Sequence, residues 1–208
     1  MKLHRTHYLV AGSLFALCAA NHLLTSAGEL FMVLRETAYA VNTLKHMLQR
    51  MLLWDLPFIL LALYCFFLRQ RKSSTGVFSV SFALLAVRYL LLVMQDASLA
   101  VLPAVRYLHQ LDHLSYLFFI LFCIATALMK PLKSKIFVVA GGIGLVSYLV
   151  IEIFANIRSF RLLPMIPMEP RYLIIILSGM LLLVFQWVAF SLLWWLEAIK
   201  GHAVSARG

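Results

Sequence analysis

Residues 136 to 156 read IFVVAGGIGLVSYLVIEIFAN, a stretch in which Glu152 is the only charged side chain. A helix of about 20 mostly apolar residues crosses the roughly 30 Å hydrocarbon core of a bilayer. Five other stretches have the same character and are separated by short charged or proline-containing segments. The sequence therefore predicts an all-α, polytopic membrane bundle with six spans at approximately 8–27, 47–68, 76–95, 110–129, 136–156 and 172–196.

The composition agrees with a membrane protein. Hydrophobic residues make up 63% of the 208-residue chain, whereas soluble domains have roughly 45–50% apolar residues. The six spans leave no room for a separate soluble domain, so residues 1–208 are expected to form a single transmembrane domain in contact with the lipid bilayer. The net charge of +10 is typical of basic loops that orient a membrane protein, and nucleic acid is not an expected partner.

The basic residues lie unevenly on the two sides of the predicted bundle. Seven fall on one side, and ten fall on the side that carries both termini: Lys2, Arg5, Arg69, Arg71, Lys72, Lys130, Lys133, Lys135, Lys200 and Arg207. Because Lys and Arg are enriched in cytoplasmic loops, we expect a multi-pass protein of the cell membrane with cytoplasmic termini and an uncleaved first helix.

Two outer connections have distinct characters. Segment 28 to 46 alternates apolar and charged side chains and is too charged to span, so we expect an interfacial amphipathic helix there. The loop from Arg158 to Arg171 contains Pro164, Pro167 and Pro170. Proline removes a backbone donor and fixes φ, so a regular helix is not expected in this loop.

Ionisable residues within the spans are functional candidates, because charged groups in hydrocarbon are costly unless they are paired or face a cavity. Asp55 and Arg88 lie about 10 to 12 Å below the outer boundary at 1.5 Å per helical residue, and they are predicted to form a structural ion pair. The others lie near the predicted outer ends of the spans: His22, His46, His109, His113 and Glu152. Glu152 is expected to carry protons, to bind a metal or simply to reach water.

His109 and His113 are the most specific pair. On a helix, residues i and i+4 share one face, where two imidazoles can chelate a transition metal or one can bind haem iron. Asp112 can orient an imidazole of a neighbouring helix by hydrogen bonding. Two interfacial histidines that face lipid head groups would give the same pattern, and both interpretations stay open.

A second candidate group begins the second span. His46 and Arg50 share one helical face, and Met47 and Met51 share another. Thioether and imidazole groups are suitable ligands for reduced copper, although a methionine pair at this spacing is more often apolar packing. Elsewhere, Gly141, Gly142 and Gly144 lie within an apolar span with no preceding strand, and they predict close helix packing. No nucleophile arrangement is recognisable, so an enzyme, such as a membrane-embedded hydrolase, is less expected than a binding protein.

Several of these residues resemble the CtaG-like cytochrome oxidase assembly proteins, which are multi-span membrane proteins associated with copper delivery. The run HMLQRMLL at 46–53, followed by Asp55-Leu56-Pro57, is similar to that family's H-M-x-Q-H-M-L-L run. His109-x-x-x-His113-Leu-Ser-Tyr-Leu and Asn21-His22-Leu23 fit as well. The resemblance covers roughly residues 15 to 128. Arg50 replaces the family's second histidine, the expected Gly and Trp after the H-x-x-x-H start are missing, and the chain is shorter.

The resemblance implies an assembly or accessory protein of a respiratory or other redox complex, with partner subunits in the membrane. It also implies a copper site near the outer surface built from His22, His46, His109 and His113, with Met47 and Met51 as further ligands. Two alternatives remain open on the same residues. One is a haem-binding anchor subunit of an electron-transfer complex, and the other is a cofactor-free sensor or partner-binding subunit.

Overall fold

A computed structural model gives the fold of the chain. It describes residues 2–35, 51–69, 74–96, 106–132, 134–162 and 170–205, with side chains over 5–24, 51–53, 55–69, 74–94, 110–132, 134–157 and 177–199. Every regular element in these ranges is helical. Six of the described helical segments are long and apolar enough to cross a membrane. The all-α bundle predicted from the sequence is therefore confirmed, and so are its six spans.

The apolar, membrane-length segments of these helices agree with the predicted spans to within five residues, and several helices continue beyond them. The second span has an α-helical centre with a π-helical turn on each side, Met51–Asp55 and Tyr64–Leu68. The α-helices are α1 (Lys2–Arg35), α2 (Leu56–Leu63), α3 (Ser74–Asp96), α4 (Arg106–Leu132), α5 (Lys135–Leu162) and α6 (Pro170–Ser205).

The helices pack as a ring in chain order. α1 packs against the second span, the second span against α3, α3 against α4, and α4 against α5 along much of their length. α6 returns to pack against α1, and its contact with α5 is much smaller. Among the described residues, the smallest contact between neighbouring helices of the ring is the one between α5 and α6, which we call the seam.

Aromatic side chains fill the centre of this ring. Phe190 of α6 is buried, and its ring centroid lies 5.2 Å from that of Phe15, 5.4 Å from that of Phe119 and 5.9 Å from those of Phe58 and Phe122. These partners come from α1, α4 and α2. A further partner is Phe82 of α3, whose ring centroid lies 6.0 Å from that of Phe190. The tilted and edge-on geometries are those that aromatic pairs prefer, so one residue of α6 joins the core of four other helices.

The glycines of α5 allow close helix packing, as the sequence predicts. A Cβ on Gly144 would lie 2.7 Å from the backbone nitrogen of Phe122 in α4. A Cβ on Gly142 would lie 2.9 Å from the indole of Trp194 in α6. Small residues let helix backbones approach each other in membranes, where van der Waals packing contributes strongly to helix association.

Two predicted connections differ from the structure. Residues 28–35 continue α1 without a break, whereas a separate interfacial helix was predicted over 28–46; the remainder of that segment lies outside the described residues. A single glycine such as Gly28 destabilises a helix by only about 1 kcal/mol, which is not enough to end the helix.

At the proline-rich loop, α5 continues to Leu162 and α6 begins at Pro170. Proline is tolerated in the first turn of a helix, where its missing N–H would have no partner.

Gly144→Ala is expected to destabilise the bundle, because its methyl group would collide with the backbone of α4, which cannot move aside as a side chain can. Overpacking of this kind costs typically 1 to 3 kcal/mol. Gly76→Ala is the matched control, because nothing lies within 4 Å of a Cβ at that position. Thermal unfolding in detergent should show a lower melting temperature for Gly144→Ala alone. Equal melting temperatures for the two variants would contradict the close packing of α4 and α5.

Candidate functional site

A polar cavity lies at the end of the bundle where α1 and α3 finish their spans and α6 begins its span. Its volume is about 320 Å³. Five helices contribute to its wall: Asn21 and His22 from α1, Arg88, Tyr89 and Leu92 from α3, Tyr116 from α4, Tyr148 and Glu152 from α5, and Gly179, Leu182, Leu183 and Gln186 from α6. We call this space the polar cavity.

Glu152 is the acidic group of the polar cavity. Its Oε1 accepts a hydrogen bond from the Ser115 hydroxyl at 2.6 Å, and its Oε2 accepts one from Asn156 Nδ2 at 3.4 Å. The Ser115 hydroxyl is also 3.0 Å from the backbone carbonyl of Asp112. These contacts hold the carboxylate between α4 and α5, so Glu152 is a fixed part of the wall.

Arg88 is the positively charged residue of the cavity wall, and three tyrosines belong to the same wall. The guanidinium carbon of Arg88 lies 5.6 Å from the centre of the Tyr89 ring, and the rings of Tyr89 and Tyr116 are 5.4 Å apart. Tyr148 contacts Tyr89 from α5. The cavity thus combines opposite charges with aromatic faces and hydroxyl groups.

His22 of α1 and Gln186 of α6 are neighbours in the cavity wall. The His22 Nε2 and Gln186 Nε2 atoms are 3.3 Å apart, which joins α1 to α6. The His22 ring also lies 5.5 Å from the ring of Phe58. Through these contacts His22 is held at the wall with an amide as its neighbour.

The structure brings three of the predicted candidates into one cavity, namely His22, Arg88 and Glu152. Asp55 and Arg88 are both buried, with 2% and 3% of their surfaces exposed, and the segments that carry them pack together. Their ion pair stays a prediction. Met51 is 43% exposed at the start of the second span.

The predicted metal site is described only in part. His113 and Asp112 lie in the first turns of the described part of α4, but neither lines the polar cavity. His46, Met47 and the side chain of His109 lie outside the described residues. Among the side chains that the structure does describe, no group of three His, Cys, Asp or Glu could hold a metal ion. The copper and haem sites therefore stay predictions.

A second polar group lies at the opposite end of the bundle, around Glu197 of α6. Tyr64 donates a hydrogen bond to Glu197 Oε1 at 2.6 Å, and Tyr8 donates to the same oxygen. Lys130 Nζ lies 2.9 Å from Glu197 Oε2 and also donates to the Tyr64 hydroxyl. We call these four residues the Glu197 cluster; it joins α1, the second span, α4 and α6.

Aromatic rings complete the surroundings of the cluster's cation. Lys130 Nζ lies 4.4 Å from the centre of the Tyr64 ring and 4.5 Å from that of Phe78. The guanidinium of Arg69 lies 5.0 Å from the Tyr8 ring. A cation over an aromatic face gains electrostatic energy from the ring quadrupole. The cluster thus balances one buried carboxylate with one ammonium group, two hydroxyl donors and aromatic faces.

Glu197 was not among the candidate residues predicted from the sequence. The residue follows directly on the predicted end of the last span, a position where a charged side chain usually reaches water. One signal was present: of eight acidic residues, Glu197 alone falls on the predicted cytoplasmic side, among ten basic residues. Tyr8 and Tyr64 carried no signal, because tyrosine is common near span ends.

No family model, curated protein or solved structure matches the chain. The resemblance to the CtaG-like proteins therefore depends only on the residues quoted above.

Glu197→Gln is expected to destabilise the protein by on the order of 3 kcal/mol, because it leaves a largely buried Lys130 ammonium without its counter-charge. Lys135→Met is the control, since that lysine is exposed at the same end of the bundle. Unfolding free energies in mixed micelles provide the measurement.

The double variant Glu197→Gln with Lys130→Met separates the ion pair from general packing. Residues in contact show coupling energies of about 0.5 to 3 kcal/mol, so the double variant should lose less stability than the sum of its single variants. Strict additivity would show that the ion pair contributes nothing.

Proposed function

We propose that this chain is a multi-pass membrane protein that binds a small ligand in the polar cavity and acts as a cofactor-free sensor or carrier. The observation that supports this proposal is the wall of the cavity, where Arg88 and Glu152 supply opposite charges and Tyr89, Tyr116 and Tyr148 supply aromatic faces. Pockets of this type, between helices of a bundle with a few convergent polar groups, are typical of ligand sites.

The charge distribution supports an orientation for this site. The cavity residues lie near the ends of the α1 and α3 spans and near the start of the α6 span, whereas the Glu197 cluster contains Lys130 and lies beside Arg69. The side with more basic residues is expected to be cytoplasmic. We therefore propose that the polar cavity faces the extracytoplasmic side of the cell membrane.

Glu152→Gln tests the proposal. If the carboxylate contacts the ligand, the variant should lose at least nine-tenths of any small molecule that remains bound to the wild-type protein through mild detergent purification. Native mass spectrometry detects such a molecule as a mass difference. Lys135→Gln is the matched control, because it removes one charge at the opposite end of the bundle.

A second measurement covers a ligand that is lost during purification. Amino acids, organic phosphates and quaternary ammonium compounds are added singly, and the melting temperature is recorded for each. At a concentration of 100 times the dissociation constant a ligand stabilises by about 2.7 kcal/mol, so a true ligand should raise the melting temperature of the wild type more than that of Glu152→Gln. The proposal fails if nothing is retained and no compound raises the melting temperature.

A copper-associated assembly or accessory protein, working with membrane partner subunits, is the second candidate function. His22 lines the polar cavity, and His113 lies in α4 near the end that helps to form the same cavity. Together with the CtaG-like sequence runs, this placement supports a proposal of a histidine site for copper near the outer surface.

Metal analysis of the purified protein decides between the two candidates. The copper proposal predicts about one copper per chain after loading and loss of this copper in the double variant His109→Ala with His113→Ala. A wild-type protein that retains far less than one copper after loading would reject it. A Soret band in the same preparation would point instead to haem.

A further inference from the structure

The end of the bundle that carries the Glu197 cluster is strongly basic. The sequence assigns ten lysines and arginines to this side, together with one acidic residue, Glu197. The Glu197 carboxylate is buried and is paired with Lys130 at 2.9 Å. The stretches of sequence assigned to this side hold no further acidic residue, so the other nine basic residues lack acidic side chains to neutralise them there.

Two of these basic residues lie where α1 meets the second span. Arg69 directly follows the π-helical turn Tyr64–Leu68, which packs against α1. Its guanidinium carbon lies 5.0 Å from the centre of the Tyr8 ring in α1. Arg5 is exposed and lies three residues before Tyr8 in the same helix, where side chains at this spacing are neighbours. Arg5 and Arg69 are therefore both neighbours of Tyr8, and we call them the two-arginine site.

Arg69 is supported by the bundle but is not enclosed in it. Tyr8, whose ring lies under the guanidinium, donates a hydrogen bond to the buried carboxylate of Glu197, so the ring is a fixed support. Among the described residues, Nη1 is the one guanidinium nitrogen of Arg69 that is buried without a hydrogen-bond partner, and the residue as a whole is partly exposed. An anion can therefore approach the guanidinium from outside while Tyr8 fixes its position.

Exposed apolar side chains lie in the adjacent turns of both spans. Leu9 is four residues after Arg5, on the same face of α1, and is 43% exposed. Phe67, two residues before Arg69, is 70% exposed. Both belong to membrane-length apolar segments, so they border the hydrocarbon chains when these segments cross a bilayer. Each arginine therefore lies at the end of a span, with a lipid-facing apolar side chain close to it.

We propose that the two-arginine site binds an anionic phospholipid, with the phosphate at Arg5 and Arg69 and an acyl chain against Leu9 and Phe67. A guanidinium can donate two parallel hydrogen bonds to a phosphate, and basic residues next to membrane spans attract anionic lipids. The net negative charge of the lipid complements the surplus of cations at this end. The inference goes beyond the proposed function, because it concerns the opposite end of the bundle and a different ligand.

The position of the arginines favours a lipid over a free anion. Arginines at span ends lay their apolar stems along the span and place their charged groups in the head-group layer. Lipid phosphates are concentrated in that layer, whereas a soluble anion has to bind from dilute solution. The acyl chain also contacts Leu9 and Phe67, which a soluble anion cannot do.

Native mass spectrometry of the full chain in mild detergent tests the inference. Phosphatidylglycerol and phosphatidylcholine with the same acyl chains are titrated separately, and the dissociation constant of the first bound lipid is measured. We expect phosphatidylglycerol to bind at least five times more tightly, because the ammonium group of phosphatidylcholine offsets its phosphate charge. Glycerophosphoglycerol, which is the same head group without chains, should bind at least ten times more weakly than phosphatidylglycerol.

Arg5→Gln and Arg69→Gln each remove one charge of the two-arginine site. Each variant should weaken phosphatidylglycerol binding at least threefold and leave phosphatidylcholine binding unchanged. Lys135→Gln is the matched control, because it removes one exposed charge at the same end from α5, which is not a neighbour of α1 or the second span in the ring. If Arg69→Gln does not fold, Arg5→Gln decides the test, since Arg5 is exposed.

Three results would overturn the inference. If phosphatidylcholine binds as tightly as phosphatidylglycerol, the anionic head group is wrong. If glycerophosphoglycerol binds as tightly, the site takes a free anion and not a lipid. If Lys135→Gln weakens binding as much as the arginine variants do, the attraction belongs to the whole basic end and the two-arginine site is wrong. None of these results concerns the polar cavity, so the proposed function is judged separately by its own ligand screen.

Discussion

A carboxylate within a membrane-spanning segment must find its partners inside the protein, and Glu197 finds them on three other segments. Tyr8, Tyr64 and Lys130 all contact it, so α1, the second span, α4 and α6 are held together at one end of the bundle. Lipid chains are as apolar as leucine, and the hydrophobic effect therefore contributes little to which membrane helices pair with each other. Directional polar contacts help to determine this pairing. The position of α6, which closes the ring, depends on them together with Phe190 in the aromatic core.

Much of the fold follows from the sequence because the bilayer restricts what a span can be. Length and hydropathy were enough to locate six spans, and the glycines of α5 were enough to predict close packing. The order of helices in the ring could not be predicted, since apolar faces of similar composition can pair in many ways. The continuation of α1 through residues 28–35 was missed for a related reason. Charges at that position indicate that the chain leaves the hydrocarbon, but they do not say that the helix ends.

The candidate site was predictable only where it contains charges. His22, Arg88 and Glu152 were selected because ionisable groups are rare within spans, and the structure places all three at one cavity. The tyrosines and Gln186 share that wall, yet such residues occur in spans for many reasons, and only the fold shows that they converge. Glu197 was missed because its place at a span end has an ordinary explanation. Its structural role depends on hydrogen bonds from Tyr8 and Tyr64, which are 189 and 133 residues away in the chain.

The two ends of the bundle differ in how their polar groups are satisfied, and this difference determines which end resists separation of the helices. At the Glu197 end, one carboxylate is balanced by an ammonium group and two hydroxyl groups, and Trp194 packed on Gly142 closes the seam. Opening that end would break charged contacts in a medium of low dielectric, where an unpaired charge is costly. At the other end, the seam between α5 and α6 is formed by apolar side chains such as Ile157 and Val184, which are about half exposed. Separating the two helices there breaks no ion pair between them among the described residues, so the Glu197 end is the one that resists opening more strongly.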